Sequence, residues 1–166
     1  MTVSKVGGWL RRRAENVLAL MLAVMFLAFL LQIVSRYVLN WPIGWTSELT
    51  VIMWIWMVLW GAGFVVREDE EIRFDLIYGA VGGRTRRIMA IVTAVAILVL
   101  YIGSLPAVID YVTFMKVQAT AYLKIRFDLL YSIYILFAVA VIVRYGWILW
   151  RALRGRAPDF DASSGV

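Results

Sequence analysis

The chain has 166 residues, 63% of them hydrophobic and 14% aromatic, with a formal net charge of +6. A soluble domain is about half apolar, and the excess here lies in long uncharged runs, which marks a membrane protein. The sequence contains no cysteine and no histidine, which excludes disulfides, thiol nucleophiles, thiolate metal sites, and imidazole for haem, metal or acid–base work.

The N-terminal segment is basic (Lys5, Arg11, Arg12, Arg13) and leads into the first uncharged run, the 20 residues 16–35. A hydrocarbon core about 30 Å thick needs about 20 helical residues, so this run spans. It is too long for the apolar region of a cleaved signal peptide and is followed by no small-x-small site, so it reads as a retained signal anchor. The stretch that follows, "SRYVLNWPIGWTSEL" (35–49), is the most mixed part of the first 66 residues. Arg36 ends the first helix, where a cation suits the dipole. Asn40 and Pro42 make a turn, Thr46 or Ser47 caps the second helix, and Glu48 falls in its first turn. Trp41 and Trp45 anchor the interface. Antiparallel helices around this turn make an Arg36–Glu48 ion pair a candidate.

The second run covers 49–66, 18 residues. Met53, Trp56, Met57, Trp60 and Phe64 share one helical face, and Gly61 and Gly63 allow close helix approach. Two readings of this stripe stay open. One packs it inside the chain or against lipid; the other turns it to a second membrane protein. Residues 67–87 then carry five acids and five arginines. Ile72, Leu76, Ile77, Ala80 and Val81 recur at helical spacing, with Glu71 and Asp75 on another face, so a short amphipathic interfacial helix and a solvated linker are both consistent readings. Gly82-Gly83 ends that arm.

The third run is 88–109, 22 residues, with Gly103 and Pro106 predicting a kink or helix end. In the connection 110–127, Tyr111, Phe114, Tyr122 and Phe127 stand among Lys116, Lys124 and Arg126. That pattern reads as an interfacial belt or as a contact surface for a soluble partner. The fourth run is 129–143, continued by 145–150 once Arg144 is accepted near one end, where it is expected to snorkel to the headgroups beside Trp147 and Trp150. The tail 155–166 is polar and reads as flexible.

The expected fold is therefore an all-α membrane protein, one domain over 1–166, with spans of about 16–38, 46–66, 88–110 and 128–150. Runs apolar throughout are unlike the alternating strands of a barrel. Twelve of the 17 basic residues fall in the N-terminal segment, the 67–87 arm and the tail. The positive-inside rule then puts both termini in the cytoplasm. The arginines flank spans and form no basic domain, so nucleic acid is not an expected partner, whereas membrane lipid is. No span carries an acid near its middle, which argues against a carrier acting alone. No catalytic, metal or cofactor residue emerges, and an enzyme is not expected.

The stretch "RYVLNWPIGWTSEL" (36–49) resembles the Arg-Tyr…Asn-x-Pro…Trp-x-x-Glu-Leu signature of the DctQ-type small membrane subunit of tripartite ATP-independent periplasmic (TRAP) transporters. "GAGFVVREDEEIRFDLI" (61–77) is similar to that family's Gly-Ala…Arg…Ile-Arg-x-Asp-Leu segment. Two departures stand out: Glu71 occupies a position where the family often has histidine, and the fourth span lacks its common proline. The resemblance implies a non-catalytic subunit of the bacterial inner membrane. Its implied partners are a large elevator-type permease subunit and a periplasmic solute receptor, in ion-gradient-driven uptake of a small organic anion such as a carboxylate. It implies that Arg36, Tyr37, Asn40, Pro42, Trp45 and Glu48 hold the outer turn and dock the receptor. Met53, Trp56, Met57, Trp60, Gly61 and Phe64 would then face the large subunit, and Glu71, Arg73 and Asp75 would fix the cytoplasmic arm. The competing expectation is a small four-span carrier working as a homodimer, with only Gln32, Ser35, Thr93 and Ser104 as in-membrane polar groups.

Overall fold

The computed structural model describes residues 2–41, 43–66 and 82–154. Pro42, the arm residues Glu71, Arg73 and Asp75, and the tail lie outside the described residues. Helix α1 runs Thr2–Tyr37 and α2 runs Gly44–Trp60, continued by a π-helical turn at Gly61–Val65. Helix α3 is Gly83–Phe114, followed by a 3₁₀ turn at Met115–Val117, and α4 is Phe127–Leu153. Among the described residues the structure is helical apart from turns and one short hairpin, and four helical stretches are long and apolar enough to cross a membrane: Gly8–Tyr37, Gly44–Val65, Gly83–Val117 and Phe127–Leu153.

The helices overrun the expected spans at their polar ends. In α1 the polar extension is stitched by an Arg11–Glu15 pair one turn apart, at 2.8 Å. Helix α3 begins at Gly83, so Arg84, Arg86 and Arg87, expected in the arm, are helical. It also passes through Pro106 without ending. Proline removes one backbone donor, the one that would serve the Ile102 carbonyl four residues earlier, and membrane helices tolerate such an interruption; beside it, Ser104 Oγ donates to the Tyr101 carbonyl at 3.2 Å.

The chain divides into two compact units, Met1–Val65 with Ala107–Phe137, and Val66–Pro106 with Ala138–Val166. In the first, α1 and α2 are antiparallel neighbours joined by a short turn. The buried positions of α1, Ala14, Ala28 and Ser35, fall at multiples of seven residues, which is one helical stripe. All three are small, so α2 can approach closely, as apolar surroundings demand where dispersion has to hold helices together. Two indoles complete the unit. Trp60 Nε1 donates to the Ala14 carbonyl at 3.1 Å and Trp56 Nε1 donates to the Leu130 carbonyl at 3.0 Å.

The second unit is held at one end by Arg87, whose Nη2 donates to the Leu153 carbonyl at 2.9 Å. This cation sits on the C-terminal carbonyls of α4, which lack intrahelical partners. The Arg144 Nη2 donates to the Val66 carbonyl at 3.0 Å, just past the end of the second span.

Ser35 is 1% exposed and its hydroxyl has no hydrogen-bond partner. Such a group contributes a desolvation cost and no bond. Ser35→Ala is therefore expected to leave the thermal midpoint of the detergent-solubilised protein unchanged or to stabilise it by roughly 1 kcal/mol. A clear fall in the midpoint would show that the hydroxyl is paired in the membrane protein.

Candidate functional site

The most constructed polar arrangement lies where the α1–α2 turn meets the connection between α3 and α4. At the end of α1, Asn40 takes a left-handed conformation, φ 48°, which asparagine tolerates better than most residues. The freed carbonyls are re-paired: Val34 O accepts from Val38 N at 2.9 Å and Leu39 N at 3.2 Å, and Ser35 O accepts from Trp41 N at 2.9 Å. The chain reaches α2 through Ile43 in an extended conformation, and no side chain caps this helix. Thr46 and Ser47, expected as caps, lie inside the first turn instead. Their hydroxyls donate backwards to the carbonyls of Ile43 at 2.9 Å and Gly44 at 2.7 Å. With Ile43 at the N-cap, the helix starts three residues earlier than a Thr46 cap would place it, and its first residue, Gly44, lies under a ring.

That ring is Tyr122, at the tip of a short hairpin. The hairpin pairs Ala119 with Arg126 as an antiparallel bridge. Thr120 N donates to Ile125 O at 2.9 Å, and Phe127 N donates to Gln118 O at 3.0 Å. Thr120 Oγ1, in a buried residue, accepts from Ile125 N at 3.1 Å. Lys124, at φ 55°, supplies the left-handed residue that reverses the chain. A Cβ at position 44 would overlap the Tyr122 ring, so the glycine is a steric requirement for seating the hairpin.

Glu48 fastens it. Its Oε1 accepts from Tyr122 N at 3.0 Å and its Oε2 accepts from Leu123 N at 3.0 Å. Two consecutive amides converging on one carboxylate form a small anion-holding nest, here closed by a side chain of the protein itself. The candidate Arg36–Glu48 ion pair does not form, since the carboxylate is turned to the hairpin. The Arg36 guanidinium lies 6.0 Å from the Tyr37 ring centroid. Beyond the hairpin, Arg126 grips Asp128 through Nε at 3.1 Å and Nη2 at 2.5 Å, and Asp128 Oδ1 also accepts from Leu129 N at 3.0 Å in the first turn of α4. Tyr131 lies 6.1 Å from Tyr111 and 5.8 Å from Phe127 between ring centroids.

Of the residues singled out in the sequence, Arg36, Tyr37, Asn40, Trp45 and Glu48 thus lie at one end of the first unit. Tyr37 and Trp41 are about three-quarters exposed there, with Phe114 and Tyr122 also outward. The contributions of Gly44, Thr120 and the Tyr122 and Leu123 amides were not visible in the sequence. Only the glycine beside Trp45 offered a signal.

The α2 stripe turns inward. Trp56 and Trp60 are half-buried with both indole N–H groups taken by the chain's own carbonyls, and Gly61 is buried against Leu18. Met53 and Met57 are half-buried. Phe64 sits at the rim, 4.7 Å from the Trp60 ring centroid. The exposed residues of α2 are Trp45, Ser47, Val51, Trp54 and Val58, and the last four form one stripe at helical spacing. Among the described residues no three carboxylates come together as a metal would require.

Residues 25–155 match the family described as the DctQ component of tripartite ATP-independent periplasmic transporters. The chain belongs to the DctQ family. A curated relative is the C4-dicarboxylate TRAP transporter small permease protein DctQ of Vibrio cholerae serotype O1 (strain ATCC 39315 / El Tor Inaba N16961). It is 33% identical over 105 residues, covering 61% of this chain and 45% of that protein. The chain thus spans less than half the length of this relative. Within the DctQ match lie the whole 38–43 turn, the Glu48 latch and the hairpin it holds.

Glu48→Gln replaces one acceptor oxygen with a donor that faces an amide. Amide exchange at Tyr122 and Leu123 is expected to quicken by about tenfold or more, with α1 exchange unchanged. Gly44→Ala is expected to do the same by displacing the ring. Unchanged exchange in both variants would mean that the hairpin is held elsewhere.

Proposed function

We propose that this chain is a non-catalytic scaffold subunit of a TRAP-type secondary transporter in a bacterial inner membrane, with both termini cytoplasmic. It braces the large permease subunit and helps dock the periplasmic solute receptor. Uptake is driven by an ion gradient, and the solute is a small organic anion. The name of the Vibrio cholerae relative makes a C4-dicarboxylate the first candidate.

One observation carries this reading. The second span spends both of its deep indole N–H groups inside the chain and leaves Val51, Trp54 and Val58 outward. A span braced from behind presents a fixed apolar face, which suits packing against another membrane helix. No span holds an acid near its middle to couple an ion. The arginine distribution supports the orientation, and family membership supports the assembly. In that orientation the latched hairpin and turn face the periplasm, with Tyr37, Trp41, Tyr122, Lys116 and Lys124 as the receptor-facing group. By the same arginine distribution, the 67–87 connection with Glu71, Arg73 and Asp75 is assigned to the cytoplasmic side.

Co-purification from native membranes tests the assembly. The tagged chain is expected to bring a large multi-span permease in stoichiometric amount. Trp54→Ala with Val58→Ala is expected to lose most of that permease while the chain alone keeps its thermal midpoint. Trp45→Ala is expected to lower receptor-dependent uptake several-fold with assembly intact. A homodimer that moves solute alone in vesicles would overturn the reading.

A further inference from the structure

The C-terminal half of α4 carries a feature that the scaffold role does not use. Val143, Trp147, Trp150 and Arg154 recur at i, i+4, i+7 and i+11, one face of the helix. Val143 and Trp147 are more than half exposed. Together with Arg144 and Gly146 the apolar members line an open groove of about 490 Å³. Gly146 lies open in the groove: a Cβ there would meet nothing within 4 Å. Trp147 and Trp150 stack at 4.9 Å between centroids, and the Arg154 guanidinium lies 4.0 Å from the Trp150 centroid.

Charge is distributed in the same way. The described residues of this unit include Arg84, Arg86, Arg87, Arg144, Arg151 and Arg154 and no aspartate or glutamate. The Arg87–Leu153 bond brings the start of α3 to the end of α4, so one end of the unit is ringed by guanidinium groups. An apolar trough at membrane depth that runs out into arginines matches a molecule with a long apolar part and an anionic head. Basic pockets at helix ends hold anionic phospholipids by this combination, and paired tryptophans mark the headgroup level.

We propose that the groove binds one anionic phospholipid. An acyl chain lies along Val143, Gly146 and Trp147, and the phosphate meets Arg151 and Arg154. Gly146→Leu puts an apolar side chain into the trough, at a position where a Cβ meets nothing within 4 Å, without touching the charge. Arg151→Gln with Arg154→Gln removes the headgroup charge without touching the trough.

The test is native mass spectrometry of the full chain in detergent, supplied with equal amounts of phosphatidylglycerol and phosphatidylcholine. The wild-type protein is expected to retain one phosphatidylglycerol in preference by about tenfold. The arginine pair variant is expected to retain both lipids equally, and Gly146→Leu to lose both. A wild-type protein without preference, or a preference that survives both variants, would overturn the proposal. So would a preference that appears only after Glu68→Gln, Asp69→Asn, Glu70→Gln and Glu71→Gln, because the chain's own acidic run would then be the occupant.

Discussion

Inside a bilayer no water is available to pair a backbone or side-chain polar group, and each orphan costs several kcal/mol. That constraint organises this protein. Several long-range polar ties among its described residues share one form, a side chain bonded to the backbone of a distant segment. Trp56 reaches Leu130, Trp60 reaches Ala14, and Glu48 takes the amides of Tyr122 and Leu123. In the second unit Arg87 reaches Leu153 and Arg144 reaches Val66. A large or charged side chain in a span is tolerable because its polar atom has somewhere definite to go.

The ties also explain local irregularities. Trp60 lies against Ala14, where α1 offers only a methyl group, and the helix then loosens into the π turn at Gly61–Val65. Gly61 N donates to both Met57 O and Val58 O, the shared bonding expected where a helix changes pitch. At the other end of α2, the extended Ile43 and the bare Gly44 give the Tyr122 ring its place, and Glu48 then lies one turn along to catch the hairpin amides. The fold at this end is a sequence of steric permissions followed by one charged fastening.

This pattern also shows why parts of the structure were legible in the sequence and others were not. The four spans follow from uncharged runs, because hydrophobic thickness sets helix length. The turn at Asn40 follows from residue type. The partners of Glu48 could not be read, because a backbone amide is the same whether it belongs to Tyr122 or any other residue. Arg36 was the natural sequence-level partner for that carboxylate, yet the competing amides offer two directed bonds and fixed geometry. The same blindness applies to the Val66 carbonyl that Arg144 reaches and to the Ala14 and Leu130 carbonyls that the α2 indoles reach. Pro106 failed as a stop signal because a membrane helix has no better alternative than to continue.

Glu48 fastens the 118–127 hairpin to the start of α2. The absence of native cysteine allows two spin labels to be placed without background, at the exposed positions Val38 and Ala121. The interlabel distance distribution, measured by double electron–electron resonance in lipid nanodiscs, tests the claim most directly. A single narrow distribution that broadens in Glu48→Gln is the expected result. Distributions of equal width with and without the carboxylate would contradict the account.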